Sequence, residues 1–357
     1  MGATTPGLVC GHHHLYSTLA RGMPAPPVQP TGFLSILEQI WWRLDVALDL
    51  EMLRLSALLG ATEALLCGTT AIVDHHESPH AIEGSLDVLA DACAEVGVRL
   101  DVAYGVTDRW RDDGSLDRGT DAPPPRMTDA ARRGLAECER FVRAGGRGMV
   151  GLHAAFTCSD ETLDAAAGLA RDLGVGVHVH VAEGALDRGA GARLAPYADP
   201  SWLLVHCVHH DNPLPGTIAH NPRSNMNNAV GYARPAERAN PVVLGTDGIG
   251  ADMLEEFRLA YARLREHDVT ASPEVPWAWL ERGRVLFPDT GDDRVTWTYD
   301  HVDDPWRLAF TPGVRATDVV RADGEVLVRD GRPTRIDLDE VRARAAEQAA
   351  RLFAMLA

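Results

Sequence analysis

The chain contains no lysine. All 34 of its basic residues are arginine, set against 51 acidic residues for a formal net charge of −17. That balance argues against nucleic acid or an anionic membrane as partner, because both call for a basic face. No stretch approaches the roughly 18 consecutive apolar residues of a membrane span, and the start lacks a basic-then-apolar leader pattern. The six cysteines (Cys10, Cys67, Cys93, Cys138, Cys158, Cys207) are scattered through apolar runs without a Cys-x-x-Cys pair. They read as reduced, buried thiols rather than a disulfide frame, and a cytoplasmic protein is the expectation. What is present is apolar content: 45% of 357 residues, enough for one large α/β barrel with an appendage.

Short apolar runs alternate with longer amphipathic ones. Strands are expected at 7–14, 69–76, 98–106, 148–156, 175–183, 202–209, 216–222 and 241–248. Helical stretches are expected at 33–66, 81–96, 128–144 and 160–173, the last with Ser159 or Asp160 as N-cap and Gly174 as its stop. Such alternation suggests a (β/α)8 TIM-type barrel over 6–275, with a doubly wound open sheet as the alternative. Polar residues gather at the C-terminal ends of the strands, which only a barrel brings to one mouth. Beyond it, a helix at 251–267, a hairpin at 317–331 and a closing helix at 338–356 are expected. Residues 276–357 then form a reduced β-sandwich appendage built from C-terminal strands. The stretch "DDGSLDRGTDAPPPRM" (112–127) reads as a loop bordering the mouth.

In "VCGHHHLYS" (9–17), strand geometry puts His12 and His14 on one face and His13 on the other. That presents two imidazoles side by side to a metal; simple surface histidines are the plainer reading. "VHVHVAEG" repeats the pattern with His178 and His180, and Glu183 at the strand end suits proton transfer beside a metal-held water. "LLVHCVHHD" carries His206, His209 and His210. In "VVLGTDGIG", Asp247 ends an apolar strand, a costly place for a carboxylate unless an opposite charge balances it. Three imidazoles and a carboxylate from the first, fifth and eighth strands suit Zn²⁺ or Fe²⁺. Such an ion lowers the pKa of a bound water from about 15.7 toward neutrality.

Taken in order, "PGLVCGHHHLYSTLARGM", "GTTAIVDHH", "GLHAAFTCSDETL", "HVHVAEG", "LLVHCVHH", "AHNPRSNMNNAVGYA" and "LGTDGIGADM" resemble the amidohydrolase superfamily. The likeness is to its deaminase/chlorohydrolase branch, and most of all to the aminohydrolases called SsnA. The resemblance implies one divalent metal held by His12, His14, His180 and Asp247. It implies Glu183 as proton shuttle, His206 as the residue orienting the attacking water, Asp247 also as base, and His153 as a substrate contact. His178, His209 and His210 are assigned to structure, and either His75 or His76 to the pocket wall. Binuclear relatives bridge two metals with a carboxylated lysine, so the missing lysine favours a single ion.

Three departures from the family pattern stand out. Relatives carry a longer N-terminal segment that builds much of a β-sandwich, for which only the hairpin at 317–331 is left here. The connection "HHDNPLPGTIAHNP" is too short for a barrel helix. Residues 282–300 lack the pattern by which relatives re-enter the sandwich. Exposed apolar surface left by these losses is expected to be covered in a homodimer. The expected function is metal-dependent hydrolysis releasing ammonia from an sp² carbon of a small heterocyclic or guanidine-like substrate. A dechlorinase or cyclic amidohydrolase with the same site, and a non-catalytic metal-binding scaffold, are the alternatives. Trp41 and Trp42 are candidates for stacking on a flat ring, and "RSNMNN" (223–228) for amide hydrogen bonds to it.

Overall fold

A computed structural model describes residues 2–117 and 123–357. The chain opens with a two-residue strand, β1 (Thr4–Thr5), and enters β2 (Leu8–His14). There follow β3 (Thr69–His76), β4 (Arg99–Val106), β5 (Val150–Ala154), β6 (Val177–Val181), β7 (Leu203–His206), β8 (Thr217–His220), β9 (Val242–Leu244) and β10 (Asp247–Gly248). Each lies inside one of the expected strand runs. The neighbours pair in parallel from β2 round to β9, and β10 pairs back onto β2 in register Asp247↔His13. β9 and β10 are two halves of one strand interrupted at Gly245, so the sheet closes into a (β/α)8 barrel. Gly245 has to be glycine at this seam, because a Cβ there would sit 2.8 Å from the backbone N and O of His12.

Inside the barrel, Val9, Ala71, Val73, Leu203, Val205, Ala219 and Val243 form a dry cluster with Phe287. A separate, larger cluster lies between the strands and the helices. The helix Asp160–Leu173 begins at Ser159, whose side chain accepts from the Thr162 N–H, and stops at Gly174 with φ 68°. The stretch 33–66 is broken where one helix was expected. Trp42–Ala47 ends at Leu48, and Asp49 caps a new helix, Leu50–Leu66, by accepting from the Met52 N–H. Before the break, Leu37–Trp41 forms a π-helical turn. As the short connection requires, no helix separates β7 from β8. Of the loop expected at 112–127, residues 118–122 lie outside the described residues.

A second, antiparallel sheet has the order β1–β11–β12–β13–β14, with β11 (Arg294–Trp297), β12 (Ala316–Val320), β13 (Val326–Arg329) and β14 (Arg332–Pro333). This corrects two expectations. The hairpin does not stand alone, and the segment 282–300 does rejoin the sheet. Alternation explains the return: Val295 and Trp297 are buried, and the Trp297 ring covers Gly68 at the foot of β3. The closing helix Leu338–Leu356 packs on Leu50–Leu66. No helix among the described residues is long and apolar enough to cross a membrane.

Candidate active site

The register of β2 shifts between Cys10 and His13 where it pairs with β3. Val9 therefore faces the barrel interior and Cys10 the helices, yet His12 and His14 both turn into the mouth. His13 turns away and places Nδ1 2.7 Å from the Thr246 hydroxyl. On β6, His178 and His180 share the inner face. At the strand ends the backbone is left-handed at Ala182 (φ 46°), His206 (φ 69°) and Asp247 (φ 56°). Simple alternation would send Glu183 and His206 outward after His180 and Val205. The left-handed residues re-aim them into the mouth at a strain of about 1–3 kcal/mol each.

The donors of His12, His14, His180 and Asp247 converge to within 4.8 Å of one another. Asp247 Oδ1 is 3.3 Å from His12 Nε2 and 3.0 Å from His14 Nε2, and the Nε2 atoms of His14 and His180 are 3.3 Å apart. Around a four-coordinate ion with bonds of about 2.0–2.1 Å, neighbouring donors lie about 3.3–3.4 Å apart, so the residues present fit a metal. Their far sides fix the tautomers. His14 Nδ1 donates to the His75 carbonyl (2.5 Å) and His180 Nδ1 to the His153 carbonyl (2.8 Å). His12 Nδ1 is 2.8 Å from His178 Nε2, while His12 Nε2 is buried without a hydrogen-bond partner. Two Nε2 lone pairs facing each other across 3.3 Å call for a cation between them.

Charge points the same way. Burial alone would raise the Asp247 carboxyl, but the His12 and His14 imidazoles against it hold it well below the usual range. Burial lowers His14, and the contact with Asp247 more than reverses this. A positive charge is favoured at the point they share.

Asp247, Glu183 and His206 form a second cluster on the same spot. His206 Nε2 lies 3.4 Å from Glu183 Oε2 and 3.7 Å from Asp247 Oδ2. Burial and, more weakly, Asp247 raise the Glu183 carboxyl against the opposing effect of His206. The segment 223–228 holds these groups in place. Asn225 Oδ1 accepts from His206 Nδ1 (2.7 Å), Asn228 Nδ2 donates to Glu183 (3.2 Å), and the Ser224 hydroxyl donates to Asp247. Spacing alone does not reveal these partners, because they lie on a short helix, Pro222–Asn227, and its C-cap.

Both clusters open into a pocket of ≈ 710 Å³, mouth included, that His75, His153, Trp41 and Trp42 also line. His153 sits with its ring 5.6 Å from that of His180 and Nδ1 on the Thr157 hydroxyl. His76 instead bonds Ser78, and His209 donates to the Val230 carbonyl. His210, near the Gly191 backbone, stands apart from both clusters.

Residues 3–278 match the model of the amidohydrolase family. The chain belongs to that family, and its relatives put it among the hydrolases of carbon–nitrogen bonds. It is 32% identical to a 5'-deoxyadenosine deaminase of Methanopyrus kandleri over 71% of this chain and 60% of that protein. It is 30% identical to an 8-oxoguanine deaminase of Pseudomonas aeruginosa over 98% of this chain and 87% of that one. Among solved structures, an adenosine deaminase from Xanthomonas campestris with bound zinc shares the fold with a TM-score of 0.79 at 21% identity, over 98% of this chain and 86% of that one.

Proposed function

We propose that this chain is a zinc-dependent aminohydrolase that replaces the amino group of a flat, nitrogen-rich heterocycle, aminopurines foremost, with oxygen from water. The observation that carries the reading is the convergence of four ligand atoms beside Glu183 and His206 at the floor of one pocket. His12, His14, His180 and Asp247 would hold one divalent ion, Zn²⁺ first and Fe²⁺ second. When bound, such an ion acidifies water and draws developing negative charge toward itself. The chain's own groups do the rest. Asp247 accepts the proton of the attacking water. His206, anchored through Nδ1 to Asn225, orients that water and offsets the charge growing on oxygen. Glu183 delivers its proton to the departing nitrogen, the carbon–nitrogen bond breaks, and ammonia leaves while oxygen stays on carbon.

His153 contacts the substrate from β5, and Trp41 and Trp42 stack on its ring. The printed activities of the relatives, deamination of 5'-deoxyadenosine and of 8-oxoguanine, support an aminopurine. We place the protein in the cytoplasm on the strength of six buried free thiols, without nucleic acid as partner. We take it to be a homodimer because Trp306 and Phe310 stand exposed beside Tyr261. Elemental analysis together with an ammonia-release screen over aminopurines, aminopyrimidines and aminotriazines tests the reading. One zinc per chain is expected, with turnover falling about 10²–10⁴-fold in Glu183→Gln. A bound metal with no ammonia from any of these compounds would favour the scaffold alternative.

A further inference from the structure

The pocket holds a second pair of carboxylates that the proposed chemistry leaves idle. Asp45, on the helix Trp42–Ala47, and Glu77, just beyond β3, both line the cavity, and both are buried (1% and 3% exposed). Tyr16 connects them to the metal donors. Its ring lies 5.5 Å from that of His14 and lines the same pocket. One Glu77 oxygen accepts from Trp110 Nε1 at 3.2 Å. Asp45 Oδ1 is buried without any hydrogen-bond partner. No arginine acts on either carboxylate among the described residues; the charge that acts on Asp45 is Glu77, and the one that acts on Glu77 is His14. Two acids buried in one pocket without an ion-pair partner among the described residues cost stability that packing does not return. An unfilled acceptor on a residue that lines a cavity is what a bound donor would satisfy.

We propose that Asp45 and Glu77 form a cation-selective subsite that takes an amidine- or amine-type N–H end of the substrate, away from the carbon that loses ammonia. Two carboxylates match two N–H donors of one planar amidinium, and the aromatic walls Phe33, Trp41, Trp42 and Phe156 suit a flat cation. This deepens the reading of the pocket as a substrate site and rests on it.

The test is calorimetric titration of the metal-loaded protein with three isosteric probes: benzamidine, benzamide and benzoate. Benzamidine is expected to bind at least tenfold more tightly than benzamide, and benzoate not at all. Asp45→Asn and Glu77→Gln, made separately, should each erase most of that preference while holding or raising Tm, because a buried uncompensated acid is removed. Glu183→Gln should leave the preference in place. Equal binding of benzamidine and benzamide overturns the proposal. So does a preference that survives both acid variants, or one lost with Glu183→Gln alone, which would put the cation beside the metal donors. The titration needs no turnover, so a failed ammonia screen would sink the aminohydrolase reading and leave this result standing on its own.

Discussion

Three histidines in a row divide between two tasks here. His12 and His14 offer Nε2 to the shared centre, while His13 is pinned to Thr246 on the outer side of the strand. Replacing His12 or His14 by alanine is expected to strip the metal on dialysis. His13→Ala should leave occupancy near wild type and lose only stability, as measured by elemental analysis beside thermal melting. His178 refines this. Its Nε2 holds His12 Nδ1, so that the lone pair of His12 points inward. Residues that orient a ligand in this way typically contribute about 10–100-fold to metal affinity, so His178→Ala should weaken zinc by that factor in competition with a chelator. Unchanged affinity would mean that His12 needs no such support.

At the scale of elements, much was legible and some was not. Strand and helix positions followed from apolar runs and their punctuation, because burial on both faces leaves a continuous hydrophobic signature. Counting inward positions from Val9 would have selected His13, however, and only the irregular register after Cys10 brings its neighbours inside. Nor could spacing choose between His178 and His180, which share a face; resemblance made that choice. The segment 223–228 is legible as amides for a substrate ring or, equally, as turn-forming asparagines, whereas the bonds of Asn225, Asn228 and Ser224 to His206, Glu183 and Asp247 depend on left-handed turns at strand ends. Asp45 is marked in the sequence as an acid within the apolar run "WWRLDVALDL".

One strand carries a cost of its own. His220 ends β8 with both ring nitrogens buried and unpartnered against Tyr232 and Trp279, and burial pushes it down to about 3. The unfolded chain takes up this proton near its ordinary value of 6.5, and the folded chain only near 3. The associated stability is therefore complete above 6.5 and is lost as pH falls through that interval. At about 1.4 kcal/mol per pH unit, wild type should lose roughly 2 kcal/mol more than His220→Leu between pH 7 and 5. Urea titrations at the two pH values measure this, and parallel losses in both proteins would refute it.

In the whole molecule, the two ends of the barrel do different work. Every residue proposed for chemistry sits at or beyond the C-terminal end of a strand. The second sheet grips the opposite end, where Trp297 covers Gly68 ahead of β3 and Arg99, the first residue of β4, meets Asp293. That pair is bidentate, 2.7 and 3.0 Å, with the Asp293 side chain fully buried and also accepting from the Ala322 N–H at 2.9 Å. It ties the barrel floor to the turn between β12 and β13. Removing one partner leaves the other buried and uncompensated, a loss of about 3–5 kcal/mol in closed sites and less here, because Arg99 is 21% exposed. Asp293→Ala is thus expected to lower unfolding free energy by about 2–3 kcal/mol. At temperatures where the variant stays folded, zinc content and turnover per folded molecule should match wild type. If instead zinc or turnover falls while the melting curve holds, the floor of the barrel is coupled to its mouth, and the division of labour between stabilising and reacting ends does not apply to this chain.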